Sequence, residues 1–234
     1  MDNTLEFSTL VDRWRYERKF VIPSLSKQEV ESIIKFHPAM FHEIFCERTV
    51  NNIYFDTANY QNYFDNETGY SQRQKIRIRW YGDISHVVIK PILEIKIKNS
   101  NLGGKIQHPL PEMPIHDSID EAAVKNLIKI SDVPKQIKIA LSSYEVKIIN
   151  RYRRKYFQAK EKDFRITLDS NLEYYKSFKR QNYLQEKIVD RGNIILELKY
   201  GSDSAQWASE IASRLPFRMT KNSKYIRAVE YHLY

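Results

Sequence analysis

The sequence predicts an α+β fold: an antiparallel β-barrel of about eight strands forming a charged tunnel, with helices packed outside. Three observations carry this expectation. Glu-x-Lys recurs between apolar residues, as Glu17 and Lys19 in YERKF, Glu94 and Lys96 in LEIKI, and Glu197 and Lys199 in LELKY. A further strand-like stretch, KIRIRWY, places Arg77 and Arg79 at the same spacing. Strand side chains alternate between faces, so each pair points to one side. Finally, hairpin-type turns replace regular strand–helix alternation, which favours antiparallel pairing.

The elements follow in order. Arg13 to Ile22 alternates and stops at Pro23. Ser24 to His37 reads as an amphipathic helix, with Ser26 as N-cap, Glu29 as its capping-box partner, and Val30, Ile33, Ile34 and Phe36 as the apolar stripe. Val50 to Asp56 reads as a strand, and the polar stretch through Gly69 as a crossing loop. Gln74 to Tyr81 and Val87 to Lys98 form a hairpin turning at Gly82-Asp83, and Gly103-Gly104 marks another tight connection. Pro109, Pro111 and Pro114 precede a helical run from about Ser118 to Ile130, and Pro134 precedes a second helical piece through Leu141. Strands resume at Glu145 to Ala159, Phe164 to Asp169, Glu186 to Asp190 and Ile194 to Tyr200. Ser204 to Leu215 reads as a helix, and the tail RMTKNSKYIRAVEYHLY as a basic loop ending in an aromatic segment.

A chain of 234 residues with 42% hydrophobic content suits one domain, residues 1–234, since barrels of this size need not divide. Lys and Arg number 38 against 29 acids, a formal charge of +9, which favours an anionic partner without choosing among nucleic acid, lipid and phosphorylated small molecules. The single cysteine, Cys46, excludes an internal disulfide and is expected to be a small core residue. No stretch approaches the roughly 20 apolar residues of a membrane span, and the N-terminus has no signal-peptide core. A cytoplasmic protein is the expected placement.

On an ordinary half-buried strand the charged face meets water. Here Arg77, Arg79, Lys96, Lys98, Arg154 and Arg165 put cations on strand after strand, opposite Ile, Leu or Tyr. Like charges directly across strands repel, and a bound polyanion relieves that repulsion. The expectation is therefore an inverted barrel. Its apolar faces, Ile76 and Ile78, Leu93, Ile95 and Ile97, and Leu196 and Leu198, lie outside under helices, and its lumen holds a chain of phosphates. Arg grips phosphate oxygens bidentately and Lys supplies point charge. Glu17, Glu94 and Glu197 make chemical sense beside such a ligand as oxygen donors to Mg²⁺ or Mn²⁺.

The same stretches, YERKF, IYFDT, RIRWYG, LEIK, YRRKYFQ, FRITLD, LELKY and SKY, run in order over nearly the whole chain. Together they resemble the VTC domain, the polyphosphate polymerase core within the CYTH-like triphosphate tunnel metalloenzymes. The resemblance implies that Lys19, Arg77, Arg79, Lys96, Arg154, Arg165, Lys199 and Lys224 contact phosphates, with Arg77, Arg79, Lys96, Arg165 and Lys199 closest to the chemistry. It implies Glu197 as the metal ligand, with Glu17 and Glu94 as tunnel-floor or metal-shell carboxylates. Arg15 replaces the first Glu of the E-x-E-x-K opening common in the superfamily, which looks like the polymerase branch. Arg154 competes with Arg151 and Arg153, which a one-residue slip would exchange for it. The SPX module and membrane helices of the eukaryotic complex are expected to be absent.

The expected activity is transfer of the γ-phosphoryl group of ATP to inorganic polyphosphate. Hydrolysis of tripolyphosphate or a nucleoside triphosphate in the same tunnel is the alternative. A non-catalytic polyanion binder, such as a nucleic-acid-binding protein using Trp80, Tyr81, Tyr152 and Tyr156, is a third; no nucleic acid is expected as partner, since carboxylates stand between the cations. Oligomeric state is left open. The chain has no P-loop and no HExxH, and its histidines read as surface or packing residues.

Overall fold

The computed structural model describes residues 10–233 apart from 12, 85, 116–119, 162 and 176–186. In chain order the elements are β1 (Tyr16–Ile22), α1 (Lys27–Lys35), β2 (His42–Thr57), α2 (Gln61–Glu67), β3 (Gln72–Tyr81), β4 (His86–Val88), β5 (Ile92–Asn99), β6 (Leu102–Pro109), β7 (Met113–Ile115), α3 (Glu121–Ile130), α4 (Lys135–Leu141), β8 (Tyr144–Gln158), β9 (Phe164–Tyr175), β10 (Lys187–Asp190), β11 (Ile194–Tyr200), α5 (Ala208–Ser213) and α6 (Lys224–Leu233). The main sheet runs β1-β11-β9-β8-β2-β3-β5-β6, antiparallel throughout, with β10 added to β9; β4 and β7 pair separately. Its two edges meet. Arg15 and Gly103 exchange both backbone hydrogen bonds at 2.9 Å, so one bridge, rather than a ladder, joins the start of β1 to β6.

That junction explains the two glycines expected in a turn. The turn lies earlier, around Ser100 (φ 50°), and Gly103 and Gly104 sit inside β6. A Cβ on Gly104 would overlap Val11 Cγ1 and stand 3.0 Å from Cγ2, so the N-terminal segment packs against bare backbone. Gly104→Ala is expected to lower stability by about 1–3 kcal/mol, the usual cost of overpacking. Val11→Ala in the same chain should recover most of the loss in a denaturant titration; no recovery would place the strain elsewhere.

Two apolar clusters lie outside the curl. Ile53, Phe55, Ile76, Ile78, Trp80, Leu93, Ile95 and Ile106 pack under Val124, Leu127 and Ile128 of α3 and Ile137 and Leu141 of α4. Phe20, Ile22, Phe157, Ile166, Leu168, Leu196 and Leu198 pack under Val30 and Ile34 of α1 and Ala208 of α5. The capping box of α1 forms as the sequence predicts, with Ser26 and Glu29 reciprocally bonded. A third cluster lies on the inner face, where Val50, Tyr54, Ile148, Tyr152, Leu172, Tyr174 and Ile195 meet Tyr225, Ile226, Ala228 and Val229 of α6. α6 therefore fills part of the lumen instead of covering the outside.

Several local expectations change. The stretch before Gly69 contains α2 instead of only loop, because the buried Asp56 carboxylate accepts from the amides of Thr57 at 2.7 Å, Asn62 at 2.9 Å and Tyr63 at 3.1 Å. A carboxylate donated by the preceding strand satisfies that helix start, and no apolar periodicity announces it. Val87 to Lys98 is two strands, parted at Lys90 (φ 55°) and Pro91. Ser204 to Leu215 is a 3₁₀ turn, Ser202–Trp207, followed by α5. The tail is irregular through Ser223, as expected, and a helix from Lys224, capped by Ser223, whose Oγ accepts from Ile226 N at 3.4 Å and whose carbonyl accepts from Arg227 N at 3.0 Å. Cys46 is exposed, not a core residue. The expected helix start at Ser118 and strand start at Glu186 lie outside the described residues.

Candidate active site in the tunnel

Register decides what shares the inner face. Glu17 pairs with Lys199 and Lys19 with Glu197 between β1 and β11. Glu197 pairs with Thr167 and Lys199 with Arg165 between β11 and β9, and Arg154 on β8 faces Asp169 on β9. Arg77 pairs with Glu94 and Lys75 with Lys96 between β3 and β5, and Lys96 with Lys105 and Glu94 with Gln107 between β5 and β6. Thus Lys19, Arg77, Arg79, Lys96, Arg154, Arg165, Lys199, Glu17, Glu94 and Glu197 all fall on one face of a sheet whose edges meet. Lys224 reaches the same space from the first turn of α6, its Nζ 2.5 Å from Asp169 Oδ2. Of the β8 arginines it is Arg154 that faces inward, 8% exposed, and a register shift against β9 between Arg151 and Arg153 sets it opposite Asp169.

The inner face divides into two charge clusters. In the first, Lys19 Nζ lies 3.5 Å from Glu17 and 3.7 Å from Glu197, and Lys199 Nζ lies 3.5 Å from Glu17 and 2.8 Å from Glu197. Arg154 chelates Asp169 through Nε and Nη2 at 2.5 and 2.6 Å, and both Arg154 and Lys224 also approach Glu197, at 3.7 and 3.5 Å. Burial alone would raise the Glu197 carboxyl, but Lys199, Lys224, Lys19 and Arg154 outweigh it and hold the group well below its ordinary value. Burial likewise opposes the Lys224 charge, while Asp169 and Glu197 keep the ammonium above its ordinary value. In the second cluster Glu94, 1% exposed, is held by Arg77, by Arg79 at 3.4 Å, by Lys105 at 3.7 Å and by Gln107 at 3.1 Å. Against burial, Arg77 and Arg79 hold its carboxyl below the usual range.

Between the clusters lie cations with no carboxylate of their own. Among the described residues neither Lys75 nor Lys96 is ion-paired; Lys75 donates to Ser223 Oγ at 2.7 Å. Burial, with Arg77 and Lys199 close by, pushes the Lys96 ammonium down to about 7. Burial, with Lys19 and Lys96 close by, pushes Lys75 well below its ordinary value. Arg79 Nε is buried and has no hydrogen-bond partner among the described residues. These groups are the repulsion expected from the sequence, and an anion between them would relieve it. Asp169, Thr167, Lys75, Lys105, Gln107 and Ser223 are among the inner-face residues that sequence reasoning left unassigned. The alternation of Lys75 with Arg77 was a usable signal for one of them.

Among the described residues, no group of three or more His, Cys, Asp or Glu is arranged to hold a metal ion by itself. Glu17 and Glu197 nevertheless share both Lys19 and Lys199, so two hard oxygen donors occupy one cluster. That donor type fits Mg²⁺ or Mn²⁺ when substrate phosphates complete the coordination. Glu94, enclosed by Arg77, Arg79 and Lys105, neutralises the arginines instead.

The surroundings of the four aromatics named for nucleic-acid stacking also differ. Trp80 and Tyr152 are each 1% exposed and packed in the core, whereas Tyr81 is 39% exposed.

An antiparallel sheet curled around a cationic lumen is the architecture of the triphosphate tunnel proteins. Solved structures share the fold over almost the full chain: a protein of Pyrococcus horikoshii (TM-score 0.54, 14% identity, 93% of this chain and 99% of that one), a candidate adenylate cyclase of Vibrio parahaemolyticus (0.53, 12%, 93% and 98%) and a Hippeastrum protein with a dominant triphosphatase activity (0.51, 13%, 94% and 97%). No curated protein sequence matches the chain. The VTC domain matches residues 14–233, and the chain belongs to that family. No described helix is long and apolar enough to cross a membrane.

Proposed function

We propose that this chain is a phosphotransferase that threads the triphosphate of ATP into the tunnel and passes its γ-phosphoryl group to a growing polyphosphate chain. The observation that carries this reading is the length of the cationic row. Arg73, Lys75, Arg77 and Arg79 alternate along β3 over seven residues, six strand rises or about 20 Å, longer than three phosphoryl groups. At one end of β1, Arg15 extends the path: burial, with Arg13 and Arg165 close by, lowers its pKa against the opposing pull of Asp163, the carboxylate that pairs with both of those arginines.

Arg77, Arg79, Lys96 and Lys199 hold the phosphates of donor and acceptor in line. The acceptor's terminal phosphate oxygen then attacks the γ-phosphorus, the bond to the β–γ bridging oxygen breaks, and the nucleoside diphosphate leaves. Such transfer asks the protein for positioning and charge compensation rather than covalent chemistry. Glu197, with Glu17, would hold a divalent cation, which when bound supplies further neutralisation of the phosphate oxygens. Incubation with ATP and Mn²⁺ or Mg²⁺ should yield long phosphate chains on a gel. Release of orthophosphate alone would replace transfer with hydrolysis in the same tunnel.

Lys96 gives this site a pH signature. Burial and the neighbouring Arg77 push its ammonium down to about 7 and a bound anion raises it, so binding takes up a proton above that pH. The Lys96 contribution to tripolyphosphate affinity should be constant below about pH 7 and fall above it, by up to about tenfold per pH unit. Lys96→Arg, which stays charged, should remove that part of the slope in calorimetric titrations. An unchanged slope would assign the titration to another group.

A further inference from the structure

One end of the tunnel is built from rings as well as charges. Arg48, opposite Arg154 in the β2–β8 register, places its guanidinium 4.4 Å from the ring centre of Phe45, 5.4 Å from that of Tyr81 and 5.8 Å from that of Tyr156. Phe45 and Tyr156 meet edge to face at 5.7 Å, and the Tyr81 and Tyr156 hydroxyls lie 3.4 Å apart. From this cluster two routes lead inward. Arg79 stacks on Tyr81 at 5.4 Å and reaches Glu94; Arg154 lies 6.0 Å from the Tyr156 ring and reaches Asp169. The rings are thus continuous with the phosphate-binding cations.

Their exposure is what packing leaves unexplained. Phe45 is 47% and Tyr81 39% exposed, although each lies against a guanidinium that could have drawn it into a closed stack. Aromatic faces and guanidinium planes left open beside a polyanion site suit a flat, uncharged ring joined to a phosphate chain. A bare polyphosphate would use Arg48 but gain nothing from Phe45. We propose that this mouth is a stacking site for the base of a nucleoside triphosphate, with Phe45 and Tyr81 as the platform and Arg48 as its cationic backing. The proposal rests on the reading that the tunnel holds the triphosphate. Purines, with the larger ring area, are the favoured bases.

The test compares ATP, which carries a base, with inorganic tripolyphosphate, which does not, in calorimetric titrations of wild type, Phe45→Ala, Tyr81→Ala and Phe45→Trp. Stacking on one aromatic is worth about 1–3 kcal/mol by alanine substitution, or roughly 5- to 150-fold. Each alanine variant should therefore weaken ATP at least about fivefold and leave tripolyphosphate unchanged, and Phe45→Trp should retain ATP affinity. Equal affinities for ATP in wild type and both alanine variants overturn the stacking site while the tunnel reading stands. Parallel weakening of both ligands also overturns it, by tracing the effect to the phosphates. Wild-type protein that binds neither ligand removes the tunnel reading, and the stacking site with it.

Discussion

Glu197→Gln is expected to reduce turnover of ATP by about 10²–10³ or more, the scale of losing one preorganised electrostatic group at a phosphoryl-transfer centre, while tripolyphosphate binds at least as tightly as before. The two effects separate because Glu197 has opposite relations to its neighbours. It is the carboxylate on which Lys19, Lys199, Lys224 and Arg154 converge, and its removal makes the lumen more positive. A bare anion then gains attraction. The divalent cation proposed to sit with Glu197 and Glu17 loses an oxygen donor, and Gln cannot replace its charge. Asp169 continues to neutralise Arg154 and Lys224, so the fold should persist, as circular dichroism can confirm. Wild-type turnover in this variant would end the metal-ligand assignment.

Asp169→Asn should have the largest effect on stability. The carboxylate is fully buried, chelates Arg154 and accepts from Lys224, tying β8, β9 and α6 together on the inner face. Without its charge, two buried cations depend on Glu197 at 3.7 and 3.5 Å. Breaking a buried ion pair from one side costs about 3–5 kcal/mol, readable as a lowered urea midpoint at unchanged slope. The pH dependence has a definite sign. Against burial, Arg154 and Lys224 depress the Asp169 carboxyl, so its contribution is complete above its unfolded value near pH 4 and is lost as pH falls through the folded one. The variant should accordingly lose less stability than wild type on acidification below about pH 4. Tripolyphosphate should also raise the stability of the variant more than that of wild type, because a bound anion supplies the missing charge. A midpoint within experimental error of wild type would show that this cluster does not hold α6 in the lumen.

Much of this was legible in one dimension. Period-two alternation placed Glu17 with Lys19, Arg77 with Arg79, Glu94 with Lys96 and Glu197 with Lys199 on common faces, because a strand allows no other arrangement. The β11 boundaries, Ile194–Tyr200, came out to the residue, since the strand is bounded by a turn at Gly192-Asn193 and by Gly201. The capping box of α1 was legible for the same reason: its partners are three residues apart. Less legible were features whose partners are distant in the chain. α2 is capped by Asp56 from another element, and Gly103 and Gly104 look like a turn until β1 and Val11 close over them.

Sequence alone determined which side chains share a face and that those faces carry more cations than carboxylates, because alternation and charge are local properties of the chain. Only the tertiary structure decided which carboxylate compensates which cation. Glu94 is committed to Arg77 and Arg79, Glu197 and Asp169 to the β1, β8, β11 and α6 cations, and Lys75 and Lys96 form no ion pair among the described residues. That division follows from register, the closure at Arg15 and Gly103, and the entry of α6 into the lumen. Each depends on contacts between residues far apart in sequence, where Coulomb energy follows distance in space and not position along the chain.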